Sequence, residues 1–349
     1  MRFKRLYCRV KSRLLVQAML IIIPIVLLPL GCGEVTPLSE DEALVFMAGY
    51  KPQANLPFVA AYVAQEKGYF AEQNLTVDIR HASSGEHLKL LTAGDVHFTT
   101  AAATSVLKRR SEPNLPIVAV SLFGQYGQQT YVALRTSNIE TLQDWKGKTF
   151  GYKISPSPDY LAMLKTAGVD RAGITEVNAG FDPRVLTEGR VDVLAVFKSN
   201  EPDTIRRLGF ELNQWDPESY GVPSLGLTYI TRQEFVETNP ELVQRFVKAT
   251  LRGLQFAVDN RDEALEIVLK YAPGEDLDHQ RFMLNSEIED ARGLLTETNG
   301  LGWMSDEQWE TLYKHLIEYG AIPSPFDYRT AFTNRFIEGA YDGGQLVWP

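Results

Sequence analysis

Apolar runs followed by polar loops and helical stretches recur along the chain from residue 44 onward. Residues 44–47 form the first apolar run and predict a strand. Pro52 and Pro57 interrupt it, and apolar residues then return near helical spacing until Gly68. In open α/β sheets, a loop at the carboxyl end of a strand lies where ligands bind. The loop and the start of the helix therefore supply the candidate ligand contacts Tyr50, Gln53, Asn55 and Phe58.

Further runs at residues 75–80, 96–98, 115–123 and 149–153 also predict strands. Each is followed by a turn of polar or small residues. Such turns supply hydroxyls, amides and rings, and their small residues let a ligand approach the backbone. They add the candidate contacts Ser84, Thr100, Thr104, Gln125, Tyr126, Tyr152 and Tyr160.

A structural role explains several of these patterns equally well. The first loop is also compatible with a surface loop that buries one aromatic ring. Ser83 or Ser84 would serve as an ordinary helix N-cap, and the same residue could also direct backbone N–H groups toward a ligand. We expect about half of the aromatic candidates to pack in the core. Acidic pairs on the polar C-terminal helices, such as Glu287 and Asp290, are expected to be solvated.

The helix at 58–70 ends in a recognisable motif. Ala64-Gln-Glu-Lys-Gly-Tyr-Phe70, followed by Asn74-Leu-Thr-Val77, resembles the N-terminal signature of the solute-binding proteins of ABC importers. The branch of these solute-binding proteins that the chain resembles includes binders of the thiamine pyrimidine precursor, of riboflavin and of alkylsulfonates. The resemblance runs from about residue 44 to residue 253. It implies an α/β fold of the two-lobe periplasmic-binding-protein type with two hinge crossovers.

The resemblance also implies a division of the chain and further site residues. Lobe 1 would comprise residues 42–134 and 225–349, and lobe 2 residues 135–224, with crossovers near 131–137 and 223–229. The loop after the buried strand 191–197 faces the ligand in this family. The Tyr-Gly-Val-Pro turn at 220–223 resembles that of the pyrimidine-precursor branch. These two segments add the candidates Phe197, Asn200, Glu201 and Tyr220.

The N-terminus has the pattern of an export signal. Six basic residues and no acidic residue occur in the first 13 positions, and Gln17 is the single polar residue of segment 14–30. The Gly31-Cys32 pair that follows resembles a lipoprotein signal, with residues 1–31 as the signal peptide, Cys32 lipidated and residues 32–41 as a linker. An uncleaved anchor helix is the alternative. Both place the protein on the extracytoplasmic side of the cell membrane.

The charge and cysteine content narrow the classes of function. Loss of the signal's six basic residues lowers the formal net charge from −9 to −15, which argues against nucleic acid. Cys8 lies in the signal, so the mature chain has no intramolecular disulfide. The five histidines lack metal-binding spacing, and no nucleotide-binding fingerprint occurs, so we expect no metal and no cofactor.

The candidate loops are rich in aromatic residues and contain no arginine, which favours a neutral flat ligand over an anion. The segment from Gly49 to Asn55 resembles riboflavin binders, and it lacks the tryptophan and histidine of the pyrimidine-precursor motif. We therefore expect riboflavin first and the pyrimidine precursor second. The expected partners are this ligand, an ABC permease and the membrane, which a monomer would contact through its lipid anchor.

An enzyme on the same fold is the alternative class. The fungal pyrimidine synthase has this fold but carries a cysteine cluster and a catalytic histidine, and Leu56 occupies the histidine's position here. A dehydratase of menaquinone synthesis shares the fold as well, but export argues against that activity. The sequence therefore predicts a binding protein and no enzyme.

Overall fold

The computed structural model describes residues 42–83, 85–153 and 155–349. The predicted signal peptide and linker, the lipidation site Cys32 and the candidate Ser84 lie outside the described residues. Among those described, no helix combines the length and apolarity that crossing a bilayer requires.

The strands are β1 Glu42–Ala48, β2 Leu75–His81, β3 Phe98–Ala102, β4 Ile117–Leu122, β5 Gln129–Leu134, β6 Thr149–Tyr152, β7 Thr175–Asn178, β8 Val193–Phe197, β9 Leu212–Trp215, β10 Leu227–Arg232, β11 Tyr341–Asp342 and β12 Gln345–Leu346. The helices are α1 Leu56–Glu66, α2 Tyr69–Glu72, α3 His87–Ala93, α4 Ala103–Ser111, α5 Pro158–Thr166, α6 Arg184–Thr187, α7 Glu201–Arg207, α8 Gln233–Thr238, α9 Pro240–Asp259, α10 Arg261–Tyr271, α11 Leu277–Ala291, α12 Leu294–Asn299, α13 Asp306–Glu318 and α14 Arg335–Glu338.

Two five-stranded mixed sheets have the same topology. The first has the order β2-β1-β3-β10-β4, and the second has the order β7-β6-β8-β5-β9. In the first sheet β1 is parallel to β2 and β3, whereas β10 is antiparallel to β3 and β4. In the second sheet β6 is parallel to β7 and β8, whereas β5 is antiparallel to β8 and β9. Each sheet, with the helices that pack on it, forms one lobe.

The chain passes from the first sheet to the second between β4 and β5, at residues 123–128, and returns between β9 and β10, at residues 216–226. The sequence analysis placed the first crossover near 131–137 and assigned residues 129–134 to lobe 1. The structure corrects both points, because β5 pairs with β8 and β9 of the second sheet. The glycines and glutamines of residues 124–128 mark the true crossover, whereas the extended run 131–134 was interpreted as part of the first lobe.

Aromatic side chains fill the core of the first lobe. The rings of Phe98 and Phe246 stack with centroids 3.8 Å apart, and Phe46 contacts Phe246 at 6.0 Å. Helix α9 packs directly on α1, where a Cβ at Gly253 would lie 2.1 Å from the carbonyl oxygen of Ala60. This close approach requires glycine. It fixes α1, and therefore the loop that precedes it, against the C-terminal helices.

The second lobe has its own aromatic core. Tyr160 is fully buried and stacks on Phe150 with a centroid distance of 4.2 Å, and Trp145 and Tyr131 lie beside them. Ser157 caps α5 by accepting a hydrogen bond from the N–H of Tyr160 at 3.2 Å. The start of α5 is therefore held at the carboxyl end of β6. Tyr160, a candidate ligand contact from the sequence, is a core residue instead.

Candidate functional site

Loops at the carboxyl ends of strands from both lobes meet along α11. Residues 49–55 follow β1 in the first lobe, and residues 198–200 follow β8 in the second. Helix α11 packs on α1 and α10 of the first lobe and contacts α7 of the second. Gln280 accepts a hydrogen bond from the N–H of Ala54 at 2.7 Å, and Nε2 of His279 lies 3.0 Å from Oδ1 of Asn200. We call this region the α11 junction.

Glu287 lies at the centre of the α11 junction, with 4% of its surface exposed. Its Oε2 accepts a hydrogen bond from the N–H of Leu56 at 2.6 Å, and its Oε1 accepts one from Nδ2 of Asn55. Oε1 also accepts a hydrogen bond from the hydroxyl of Ser199 at 3.1 Å, across the gap between the lobes. Burial raises the pKa of Glu287 to about 7, although these three donors oppose that shift.

Glu287 also explains the start of α1. Asn55 is the N-cap residue, but its side chain makes no capping bond to this helix. The carboxylate of Glu287 takes over that function at the N–H of Leu56. A negative charge is favourable at a helix N-terminus because the helix dipole is positive there. Gln53, which is buried, donates through Nε2 to Oδ1 of Asn55 and orients the amide.

Two ionic contacts extend the junction on either side of Glu287. Asp290 accepts from Nζ of Lys198 at 2.8 Å and from Nε2 of Gln128 at 2.6 Å. Burial raises the pKa of Asp290, and Lys198 and Gln128 oppose the rise. Toward the start of α11, Nδ1 of His279 lies 2.7 Å from Oδ2 of Asp203. Side chains of α11 in the first lobe therefore contact the second lobe directly.

A buried ion pair lies at the carboxyl edge of the second sheet. Nζ of Lys153, which follows β6, contacts Oε1 of Glu201 at 2.5 Å, and both side chains are largely buried. Oε2 of Glu201 accepts a hydrogen bond from the N–H of Phe197 at 2.8 Å. The ring of Phe197 lies over the ammonium group of Lys153 at 3.7 Å. Burial lowers the pKa of Lys153, although Glu201 opposes this effect.

Four aromatic rings remain exposed at these edges. Tyr50 and Tyr126 of the first lobe are 45% and 48% exposed, and Phe197 of the second is 42% exposed. Phe181, which the sequence analysis did not select, is 57% exposed and has its ring 5.8 Å from Nζ of Lys153. An exposed ring has a free face on which a flat ligand can stack.

Other sequence candidates have structural roles. Phe58 is buried and meets the ring of His81 edge-on at 5.9 Å, so it packs beneath the loop. The hydroxyl of Thr100, also buried, accepts a hydrogen bond from the N–H of Gly49 at 3.0 Å and thereby shapes the same loop. Neither side chain presents a free surface to a ligand.

Gln125 is likewise occupied within the first lobe. It donates to the carbonyl oxygen of Trp303 at 3.1 Å and accepts from Nε2 of Gln308 at 2.9 Å. Thr104, Tyr152 and Tyr220 are half-buried, and Tyr152 and Tyr220 pack against the core of the second lobe. The candidates that the structure brings to the α11 junction are therefore Gln53, Asn55 and Asn200, with Phe197 and Glu201 beside them.

A second contact between the lobes joins α5 to α13. Lys165 and Glu318 form an exposed ion pair at 2.6 Å, and Nε2 of His315 lies 3.7 Å from Oδ1 of Asp159. A groove of about 510 Å³ runs along this contact and includes Gly221 of the return crossover. This groove contains none of the site residues predicted from the sequence.

Glu287 and Asp290 were expected from the sequence to be solvated, so neither was predicted as a site residue. A signal for Glu287 exists in the helical spacing of α11. Gln280, Met283, Leu284, Glu287, Ile288 and Ala291 recur at intervals of three and four residues and form the buried face of the helix. A charged residue on that face must find partners, and those partners are distant in sequence.

Comparison with known proteins places the chain in a family. The family described as NMT1/THI5 like matches residues 55–264, which is more than half of the sequence. The chain belongs to the NMT1/THI5-like family. The match begins at Asn55, the last residue of the loop that follows β1, and extends into α10.

Two relatives of this NMT1/THI5-like protein carry names of binding proteins. The riboflavin-binding protein RibY of Chloroflexus aurantiacus is 29% identical over 297 residues, which cover 82% of this chain and 84% of RibY. The formylaminopyrimidine-binding protein of Halalkalibacterium halodurans is 29% identical over 311 residues, which cover 85% of this chain and 92% of the relative.

The fold matches that of solved periplasmic binding proteins. The aliphatic sulphonate binding protein SsuA from Escherichia coli superimposes with a TM-score of 0.65, at 15% sequence identity. The superposition covers 83% of this chain and 91% of SsuA. The two-lobe α/β fold predicted from the sequence is therefore confirmed.

Proposed function

We propose that this protein is an extracytoplasmic solute-binding lipoprotein of an ABC importer. Its ligand is a neutral heteroaromatic vitamin, riboflavin first, which binds between the lobes at the α11 junction. Closure of the lobes by bending at residues 123–128 and 216–226 would enclose the ligand, and the closed form would deliver it to the permease. Only the closed form has contacts from both lobes, so the ligand shifts the population toward it.

The observation that carries this proposal is the pairing of charge around exposed rings. Each lysine beside the rings is neutralised by a carboxylate: Lys153 by Glu201, Lys198 by Asp290 and Lys51 by Glu275. An anionic ligand would have to compete with these carboxylates. A neutral flat molecule would instead stack on the rings and use amide and hydroxyl groups for its polar edge.

Riboflavin fits this combination because its ring system is flat and its ribityl chain is neutral and rich in hydroxyls. The resemblance of residues 49–55 to riboflavin binders and the similarity to RibY support the same order. The thiamine pyrimidine precursor is the second candidate, supported by the similarity to the formylaminopyrimidine-binding protein. An enzyme acting on such a heterocycle is the third.

A thermal-shift comparison separates the three candidates. The full-length protein in detergent is unfolded with riboflavin, with the pyrimidine or with neither. Riboflavin at one hundred times its dissociation constant should stabilise the protein by about 2.7 kcal/mol. Stabilisation by the pyrimidine alone would reverse our order. Chemical conversion of either compound by the purified protein would favour the enzyme.

Membrane attachment depends on Cys32 in this proposal. Replacement of Cys32 by serine should abolish incorporation of labelled palmitate into the protein, because a serine has no thiol to carry the thioether-linked lipid. A wild-type protein that stays in the membrane fraction without taking up the label would support the alternative of an uncleaved N-terminal anchor helix.

A further inference from the structure

Glu287 receives hydrogen bonds from both lobes. Asn55 and Leu56 belong to the loop and helix that follow β1, and Ser199 belongs to the loop that follows β8. Within the first lobe the carboxylate caps the N-terminus of α1 and orients the amide of Asn55. Toward the second lobe it holds Ser199, which lies between Phe197 and Asn200 in the chain. One side chain therefore touches both of the loops that face the proposed ligand.

A buried glutamate at position 287 costs free energy that packing alone does not recover. A buried carboxylate loses its hydration, and the three groups that donate to it here are neutral. Replacement of buried charged groups by well-packed apolar residues is often neutral or stabilising in other proteins. A charged residue at this position is therefore explained better by the arrangement that it imposes on its neighbours than by the stability that it contributes.

We propose that Glu287 is a positioning residue of the ligand site, which couples the 49–56 segment of the first lobe to the 198–200 loop of the second. The inference rests on the proposed function, because it concerns the site assigned there. The carboxylate accepts hydrogen bonds from the two loops together when the lobes are closed, and opening breaks the bond to Ser199. A ligand between the loops then binds most tightly when this arrangement is complete.

The coupling is reciprocal, since a contact that stabilises one loop in the presence of the other acts equally in both directions. Loss of the Ser199 hydroxyl in the second lobe should therefore loosen the N–H of Leu56 in the first. Loss of the Glu287 carboxylate should loosen the segment around Ser199. Loss of a residue that serves only to cap the N-terminus of α1 would loosen the first lobe alone.

Hydrogen exchange of the ligand-free, full-length protein in detergent tests this coupling. Glu287→Gln should accelerate exchange in both segments, 55–59 and 197–203, by about fivefold, the effect of losing one typical hydrogen bond. The matched control is Glu289→Gln on the same helix, because Glu289 is exposed and pairs with Arg261. It should change neither segment. Acceleration confined to segment 55–59 would overturn the proposal.

Ser199→Ala provides a second variant that leaves Glu287 and α1 intact. Its expected effect is faster exchange at Leu56, in the lobe that was not altered. An unchanged rate at Leu56 would overturn the proposal even if Glu287→Gln failed to fold. Riboflavin binding adds an independent measurement: the dissociation constant should rise about tenfold in Glu287→Gln and stay unchanged in Glu289→Gln.

The pH profile of binding gives a measurement that a purely structural role would not change. Burial raises the pKa of Glu287, and opening of the lobes would admit water and lower it again. Closure therefore takes up a proton, and binding should tighten as the pH falls from 8 to 6, by less than tenfold per unit. Glu287→Gln should remove this part of the profile, and an identical profile in both proteins would overturn the proposal.

Other titratable groups face the junction and remain present in both proteins, so the difference between the profiles isolates Glu287. They are Asp290 and His279 on α11 and Lys198, Glu201 and Asp203 in the second lobe.

If the wild-type protein binds neither riboflavin nor the pyrimidine, the proposed function fails. The exchange experiment, which needs no ligand, would still decide the role of Glu287.

Discussion

The two lobes share a sheet topology but differ in what their strand ends offer. The first lobe presents two amides at the α11 junction, the buried Gln53 and the half-buried Asn55, and the carboxylate of Glu287 holds that of Asn55. The second presents exposed phenylalanine rings beside the buried Lys153–Glu201 pair. One scaffold therefore carries carboxylate-held amides beside an exposed tyrosine ring in one lobe, and exposed phenylalanine rings beside a buried ion pair in the other.

This difference lies in the loops and in the C-terminal helices rather than in the sheets. Helix α11 has no counterpart in the second lobe among the described elements, since it follows the return of the chain to the first sheet. It supplies His279, Glu287 and Asp290 to the contact between the lobes. The predictions below test the two lobes separately.

The largest effect is expected in the second lobe. Lys153→Met leaves the carboxylate of Glu201 buried without its cation, and should lower the free energy of unfolding by about 3 to 5 kcal/mol. Urea unfolding measures this loss. The control Lys146→Met alters an exposed lysine of the same lobe and should change stability by less than about 0.5 kcal/mol. Equal stability of the two variants would contradict a structural role for the buried pair.

Glu287, at the α11 junction of the first lobe, should make the free energy of unfolding depend on pH. The folded-state pKa of Glu287 is raised to about 7, above an unfolded value of about 4.3, so the folded protein binds the extra proton between these values. The stability that this proton binding contributes is complete below the unfolded-state pKa of about 4.3 and is lost as the pH rises through the folded-state pKa of about 7. The difference in unfolding free energy between the wild type and Glu287→Gln should therefore change by up to about 3 kcal/mol.

Urea unfolding from pH 4.5 to pH 8 measures that change. The wild type should gain stability relative to Glu287→Gln as the pH falls. Glu289→Gln should follow the wild type across the whole range, because Glu289 is exposed on the same helix. A constant difference between the wild type and Glu287→Gln would mean that this carboxyl group is not buried in solution.

The exposed ring of Phe197 in the second lobe should contribute more to ligand affinity than to protein stability. Phe197→Ala removes a ring that is 42% exposed, and should weaken riboflavin binding by about 0.5 to 1.5 kcal/mol if the ring stacks on the ligand. Isothermal titration calorimetry measures the loss, and Phe210→Ala is the control, since Phe210 is an exposed ring of the same lobe away from the junction. Equal affinities of the two variants would remove Phe197 from the site.

The smallest effect is expected at the contact between α5 and α13. Lys165 and Glu318 form an exposed ion pair, and such pairs contribute less than about 1 kcal/mol because water and salt screen them. Lys165→Met should therefore shift the urea midpoint only slightly, and the shift should shrink further in high salt. A large loss of stability would show that this contact, and not only α11, holds the lobes together.

Local pattern was sufficient for the elements that carry the site. The apolar run at 44–47 and the helical spacing after Pro57 correspond to β1 and α1, and the two-lobe fold follows from their resemblance to known binding proteins. The first crossover was misplaced because the extended run 131–134 was interpreted as a continuation of the first lobe. Strand β5 belongs to the second lobe because it pairs with β8 and β9, and the local sequence pattern does not predict such pairing.

The site was less accessible from sequence because its key contacts are remote along the chain. Glu287 bonds to Asn55 across 232 positions and to Ser199 across 88. Aromatic residues were correctly expected in the loops, but sequence could not separate Phe197, which is exposed, from Phe58, which packs beneath the loop. That distinction depends on neighbours from other elements. The ligand contacts themselves remain predictions.

Calorimetric titration of the full-length protein with riboflavin tests the central claim most directly. We predict saturable binding of one riboflavin per chain, weakened by Phe197→Ala in the second lobe and by Glu287→Gln at the α11 junction. Binding that neither substitution alters would place the ligand outside the gap between the lobes. Absence of any heat with riboflavin, together with saturable binding of the pyrimidine, would contradict the ligand that we propose.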